Sequence, residues 1–277
     1  MRRTDVLELN ADPAPATAGM AGAWNAAALH ALGQVGADAA AAARVLAIVH
    51  TSMYNAWAAY DGVARQTMQG VAVRLPRAGR GGASQATAMG NAAWLALASL
   101  LPGQRALFDA CLAGPAPAAA APGAPLDPAS IGQVQAAAAL DAWGEAATPF
   151  APAVMALEPL PDAGATAAPG GPAPVGECCR PVRTMAARGA YGGDQEVLLY
   201  FVLANALGDA AIAAGRTGVA MPEACAAAAG IVLRRFGGIG VGEARVAGAD
   251  DAAAREVGRK VGALVFERAR RYWQGKL

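Results

Sequence analysis

Apolar residues recur at helical spacing along most of the chain, and the interruptions are Gly/Pro clusters rather than the alternation of Val, Ile and Thr that marks strands. Residues 20–32 (MAGAWNAAALHAL) and 37–60 (ADAAAAARVLAIVHTSMYNAWAAY) predict two consecutive helices joined by a short GQVG turn. In the second of these, His50, Tyr54, Trp57 and Asp61 follow i, i+4, i+7, i+11 and so share one face. Further helices are predicted at 84–101, 104–112, 130–146, 193–214, 222–236 and 249–273. Between the last two, FGGIGVGEARVAGA carries five glycines and predicts a loop with special backbone angles. The fold class this implies is all-α, a helical bundle with Pro/Ala/Gly-rich connectors.

Two Pro/Ala/Gly stretches, 114–128 and 149–176, are poor in large side chains and can bury little surface, so they read as connectors. They divide one helical domain, 1–277, into an N-terminal helical part (1–113), a connector region with one helix (114–176) and a C-terminal helical part (177–277).

Composition narrows the chemistry. The chain has 277 residues, 55% of them hydrophobic, enough for one large core. Its 22 Lys and Arg against 21 Asp and Glu leave a formal charge of +1, with no one-sided field to attract nucleic acid or an anionic membrane. The four cysteines, Cys111, Cys178, Cys179 and Cys225, lack the CxxC spacing of a zinc or thioredoxin-like site. His30 and His50 are the only histidines, so one chain cannot build a three-histidine metal site. The opening MRRTDVLELNADPAP has no apolar signal-peptide core, and no uninterrupted apolar run reads as a membrane span. The expectation is a cytoplasmic protein with no metal and no cofactor.

One stretch is more specific than an Ala-rich helix. WNAAALHAL followed by ARVLAIVHTSMYNAWAAYDGVA fixes Trp24, Asn25, His50, Met53, Tyr54, Trp57, Tyr60 and Asp61 together. Over residues 24–64 it resembles the N-terminal helical pair of bacterial vanadium-dependent haloperoxidases. FVLANALGDAAIAAG, residues 201–215, is similar to that family's LLNLALADAAIAAWDAKY helix, and MPEACAAAAGIVLRRFGGIG resembles its PSGHSxxSxAAAxVLRRFFG segment. ADDAAAREVGRKVGALV is similar to the family's FDNEAGLALGRAVG.

The residues that hold vanadate in the family are missing from these matches. Gly215-Arg216-Thr217-Gly218 stands where the vanadate-binding lysine should follow, Pro222 takes the place of one histidine, and Gly240 that of the histidine bonded to vanadium. The family's Arg-Pro segment is absent, and Arg180-Pro181-Val182 lies on the wrong side of the DAAIA helix to replace it. Asp250 matches the aspartate that orients the missing histidine. An oxyanion is retained by clustered cationic donors and an imidazole, which Arg216, Arg234 and Arg235 alone do not supply. The resemblance therefore implies a haloperoxidase-like helical protein that has lost vanadate binding and haloperoxidase activity. Phosphatase chemistry fails on the same missing histidine.

If the chain is a metal-free enzyme, catalysing a cyclisation, rearrangement or isomerisation in natural-product biosynthesis, its candidate catalytic groups are Tyr54, Asp61, Tyr191, Asn205, Asp209 and Asp250. Each has a structural reading beside the catalytic one. His50 reads as a core histidine bonded to a backbone or hydroxyl partner, Tyr54, Trp57 and Asp61 as cement for the first helix pair, and Asn205 with Asp209 as an interhelical network. Glu177-Cys178-Cys179-Arg180 reads as a loop with little claim to nucleophilic chemistry. The alternative function is a non-catalytic small-molecule-binding or assembly protein. The expected partners are a small apolar organic substrate or ligand and a second copy of the chain, since small-residue helix faces favour homodimers.

Overall fold

The computed structural model describes residues 19–67, 70–113, 127–144, 171–187, 192–237 and 251–273. Among these residues the chain is all-α. Its helices are α1 (Met20–Gln34), α2 (Ala39–Tyr60), α3 (Gly82–Leu100), α4 (Arg105–Leu112), α5 (Pro128–Gly144), α6 (Ala173–Ala187), α7 (Gly193–Thr217), α8 (Met221–Gly237) and α9 (Ala252–Trp273).

Local chemistry sets several of these ends. Asp38 caps α2 by accepting from the Ala41 amide at 2.7 Å. Gly218 closes α7 in the left-handed conformation, φ 69°, with its own amide and that of Val219 both returning to the Ala214 carbonyl. Asp251 starts α9 by accepting from the Ala254 amide at 2.9 Å, and its second oxygen accepts from Ala220 at 3.0 Å, just before α8.

The centre of the bundle is the antiparallel pair α2 and α7. Trp57 meets Asp194 at one end of the pair, Thr51 meets Asn205 in the middle, and Gly208 packs on Ala47 further along. Nineteen of the residues of α2 are buried, including every residue from Val45 to Tyr60. Such an all-round apolar helix belongs in the middle of a core rather than on its surface. α7 is also the one helix among the described residues long and apolar enough to cross a membrane, and 83% of its apolar window is buried inside the bundle.

Close backbone approaches hold the outer helices. A Cβ on Gly258 would overlap the Ala224 carbonyl oxygen, and one on Gly262 would lie 2.6 Å from the Ala228 carbonyl oxygen, so the parallel pair α8 and α9 interlocks over two turns of small residues. Gly132 of α5 plays the same part against Ala88 of α3.

α6 corrects the sequence reading. The sequence places its first residues in the 149–176 connector and Glu177 to Arg180 in a loop; both fall inside one helix. Val175, Cys178, Cys179, Val182, Met185 and Ala186 form its buried face at helical spacing. Pro181 lies within it, which removes one backbone donor and disguises the helix in sequence. Residues 114–126 and 149–170 of the connectors, the Gly-rich loop after Gly237, and the candidates Tyr191 and Asp250 lie outside the described residues.

Candidate functional site

Buried polar groups gather where α1, α2, α6 and α7 meet. Asn25 on α1 is fully buried, and its Oδ1 stands 3.0 Å from Nε2 of His50 on α2. Because a carbonyl oxygen only accepts, Nε2 carries the proton. The other face of this arrangement is Tyr200 on α7, whose ring stacks on His50 with centroids 4.9 Å apart and planes 11° from parallel. Burial pushes the His50 pKa down to about 3, so the imidazole is neutral at physiological pH. The expected hydroxyl or backbone partner is thus replaced by a side-chain amide.

Glu196 lies one turn before Tyr200, on the same face of α7. It is buried, and its Oε1 accepts from the Gly22 amide at 2.9 Å, within the first turn of α1. Gly19, the cap residue of α1, has no side chain to offer, so a carboxylate 174 positions along the chain performs the capping. A side chain at either glycine would displace this carboxylate: a Cβ on Gly22 would sit 2.7 Å from Oε1, and one on Gly19 would overlap Oε2. Burial raises the Glu196 pKa, and the Gly22 hydrogen bond partly offsets that rise.

Cys179 on α6 completes the cluster. Burial raises its thiol pKa to about 12, while the Asn25 side chain and the Arg183 guanidinium pull it down. The Tyr200 hydroxyl is also held well above its usual range, first by burial and then by Cys179 and Glu196, with Arg183 acting against them. Two donors in this cluster lack an acceptor: Asn25 Nδ2 and the Tyr200 hydroxyl are both buried with no partner at hydrogen-bond geometry.

The residues singled out in the sequence are distributed differently. Tyr54 donates to the Arg65 carbonyl at 2.9 Å and stacks on Phe201, centroids 4.1 Å apart. Asp61 lies past the end of α2, where one carboxylate oxygen accepts from Val63 and Ala64, each at 2.7 Å. Trp57 donates to Asp194 at 2.7 Å. Tyr54 and Trp57 therefore cement α2 to α7, not α1 to α2, and Asp61 builds the turn that follows. Asn205 donates to Thr51 at 3.0 Å and to the Phe201 carbonyl at 2.8 Å, an interhelical tie of the expected kind. Asp209 is buried one turn further on.

No family model, no curated protein and no solved structure matches this chain.

Among the described residues, those that the resemblance would place around an oxyanion are unsuited to it. Gly215 to Gly218 are exposed at the C-terminus of α7, the negative end of the helix dipole. Asp251 already fills the start of α8, placing a carboxylate on the Ala220 amide that an anion would otherwise meet. Arg235 is drawn aside by Glu267 at 2.6 Å, and Arg216 and Arg234 are exposed. Among the described residues no group of three His, Cys, Asp or Glu side chains is placed to hold a metal ion. Among the described residues this donor set does not suit vanadate.

Sequence reasoning missed Glu196 and Tyr200, and it placed Cys179 in a loop. An acidic residue near the start of an apolar helix reads as ordinary dipole compensation, which concealed that Glu196 serves another helix. The available signal was the i, i+4 spacing of Glu196 and Tyr200 on an otherwise apolar face.

Proposed function

We propose that this chain is a haloperoxidase-like helical protein without vanadate chemistry that binds a small, largely apolar organic molecule in the cytoplasm. The observation carrying this reading is the buried cluster of Asn25, His50, Tyr200 and Cys179, polar groups set in a core of alanine, aliphatic and aromatic side chains. Binding sites typically combine such apolar walls with a few polar groups. Tyr54, Asp61 and Asn205 hold the scaffold together by hydrogen bonds, which favours binding over catalysis by those three residues. Native mass spectrometry of the chain purified from its own cells tests the reading: a bound organic mass is expected, and its reproducible absence counts against it.

A second reading, a metal-free cyclase or isomerase, draws on Glu196. A buried carboxyl whose pKa burial raises, one turn from a tyrosine hydroxyl, is the kind of group that serves proton transfer. On this reading Glu196→Gln keeps the ligand but abolishes its conversion. A homodimer belongs to the same proposal and is checked by light scattering.

A further inference from the structure

We infer that Met221 and Cys225, one turn apart on α8, form a binding site for a soft monovalent cation of the copper(I) class. The inference is independent of the small-molecule reading above and draws on different residues.

The thioether of Met221 and the thiol of Cys225 stand 3.6 Å apart. Two sulfurs at that separation can share one ion at a metal–sulfur bond of about 2.3 Å, the zinc–sulfur value, with neither side chain moving. The Cys225 thiol also faces the Leu207 carbonyl at 3.6 Å, and its single S–H cannot serve both acceptors. Cys225 is fully buried, whereas Met221, the first residue of α8, is only partly so, which gives an ion a way in from solvent.

Donor type and charge set the class. Thiolate and thioether are soft ligands that select copper(I), while zinc takes thiolate, imidazole or carboxylate, and magnesium and calcium take oxygen. Cys178 is buried on α6, the helix packed beside α8, and Cys225 raises the Cys178 pKa beyond what burial does, so two thiolates together are disfavoured there. A monovalent ion needs one thiolate. As it bonds to the Cys225 sulfur the thiol proton leaves to solvent, no electron is transferred, and the thiolate cancels the charge of the ion. A divalent ion on the same pair would leave a net charge in an apolar interior.

The test uses the full chain carrying Cys111→Ser, which removes the exposed thiol, with copper(I) kept reduced by ascorbate and offered from the coloured chelator bicinchoninate. One copper per chain should leave the chelator, Cys225→Ala should abolish the transfer, and Met221→Leu should weaken it about tenfold or more. No transfer, or transfer unchanged in Cys225→Ala or in Met221→Leu, overturns the site, and the two sulfurs then pack and nothing more. Displacement of the copper by an equal concentration of zinc(II) overturns the soft monovalent class. A second measurement leaves both residues in place, since a core variant can fail by unfolding. X-ray absorption of the copper-loaded chain, grown with selenomethionine, should show copper bonded to selenium, and a shell without selenium overturns the assignment of Met221.

Discussion

Glu196 of α7 caps α1 through the Gly22 amide at 2.9 Å, across 174 positions of sequence. The contact places a buried carboxyl at the positive end of one helix and one turn from Tyr200 on another, so packing and electrostatics at the cluster are tied to the same side chain.

That tie has a consequence for pH dependence. The folded pKa of His50 lies near 3, below its ordinary value of 6.5, so below pH 6.5 the unfolded chain takes up a proton that the folded chain refuses. Stability from this group is complete above pH 6.5 and falls by about 1.4 kcal/mol per pH unit down toward pH 3. Glu196 acts in the opposite sense. Its raised folded value means that the folded chain binds a proton more readily, so acidification through that range stabilises it. In Glu196→Gln the opposing contribution is gone, and chemical denaturation should show a steeper loss of stability from pH 6.5 to 4.5 than in the wild type. Equal slopes would show that the carboxyl is not buried in this way.

Close packing of the small-residue faces should govern stability. Gly132→Val puts a side chain into the Ala88 carbonyl and should cost more than about 2 kcal/mol in urea denaturation, because α3 and α5 must separate. Gly33→Ala, with nothing within 4 Å of its Cβ and an exposed helical position, should instead gain about 0.5 kcal/mol.

Asp61 distinguishes a turn-building role from a catalytic one. Asp61→Ala removes the acceptor for Val63 and Ala64 and should lower stability by about 1–2 kcal/mol, while Asp61→Asn keeps an oxygen for the same bonds and should stay close to wild type. Equal melting temperatures for the two variants would contradict the turn-building role.

The cysteines should differ sharply in reactivity. Cys111 is exposed, and Cys178, Cys179 and Cys225 are buried with thiol pKa values raised by burial. A thiol reagent such as Ellman's should label Cys111 in the native chain and all four cysteines after unfolding. Rapid native labelling of Cys179 would mean that the α6 junction opens to solvent.

The parts of this structure legible in sequence are those written in local periodicity. α2 and α7 announce themselves through apolar spacing, and the shared face of His50, Tyr54 and Trp57 does turn toward one neighbour, α7. α6 stayed hidden because Pro181 argues against a helix interior and its buried face includes two cysteines rather than leucines. The cluster itself joins residues far apart in sequence, Asn25 with His50 and Gly22 with Glu196. Such pairs leave no periodic trace, and only packing reveals that Gly19 and Gly22 are small because a carboxylate lies against them.

Calorimetric titration with orthovanadate tests most directly the proposal that this helical frame does not hold an oxyanion. With Gly215 to Gly218 exposed at the negative end of α7 and Asp251 occupying the start of α8, no saturable heat above background is expected. One-to-one binding in the micromolar range would contradict it.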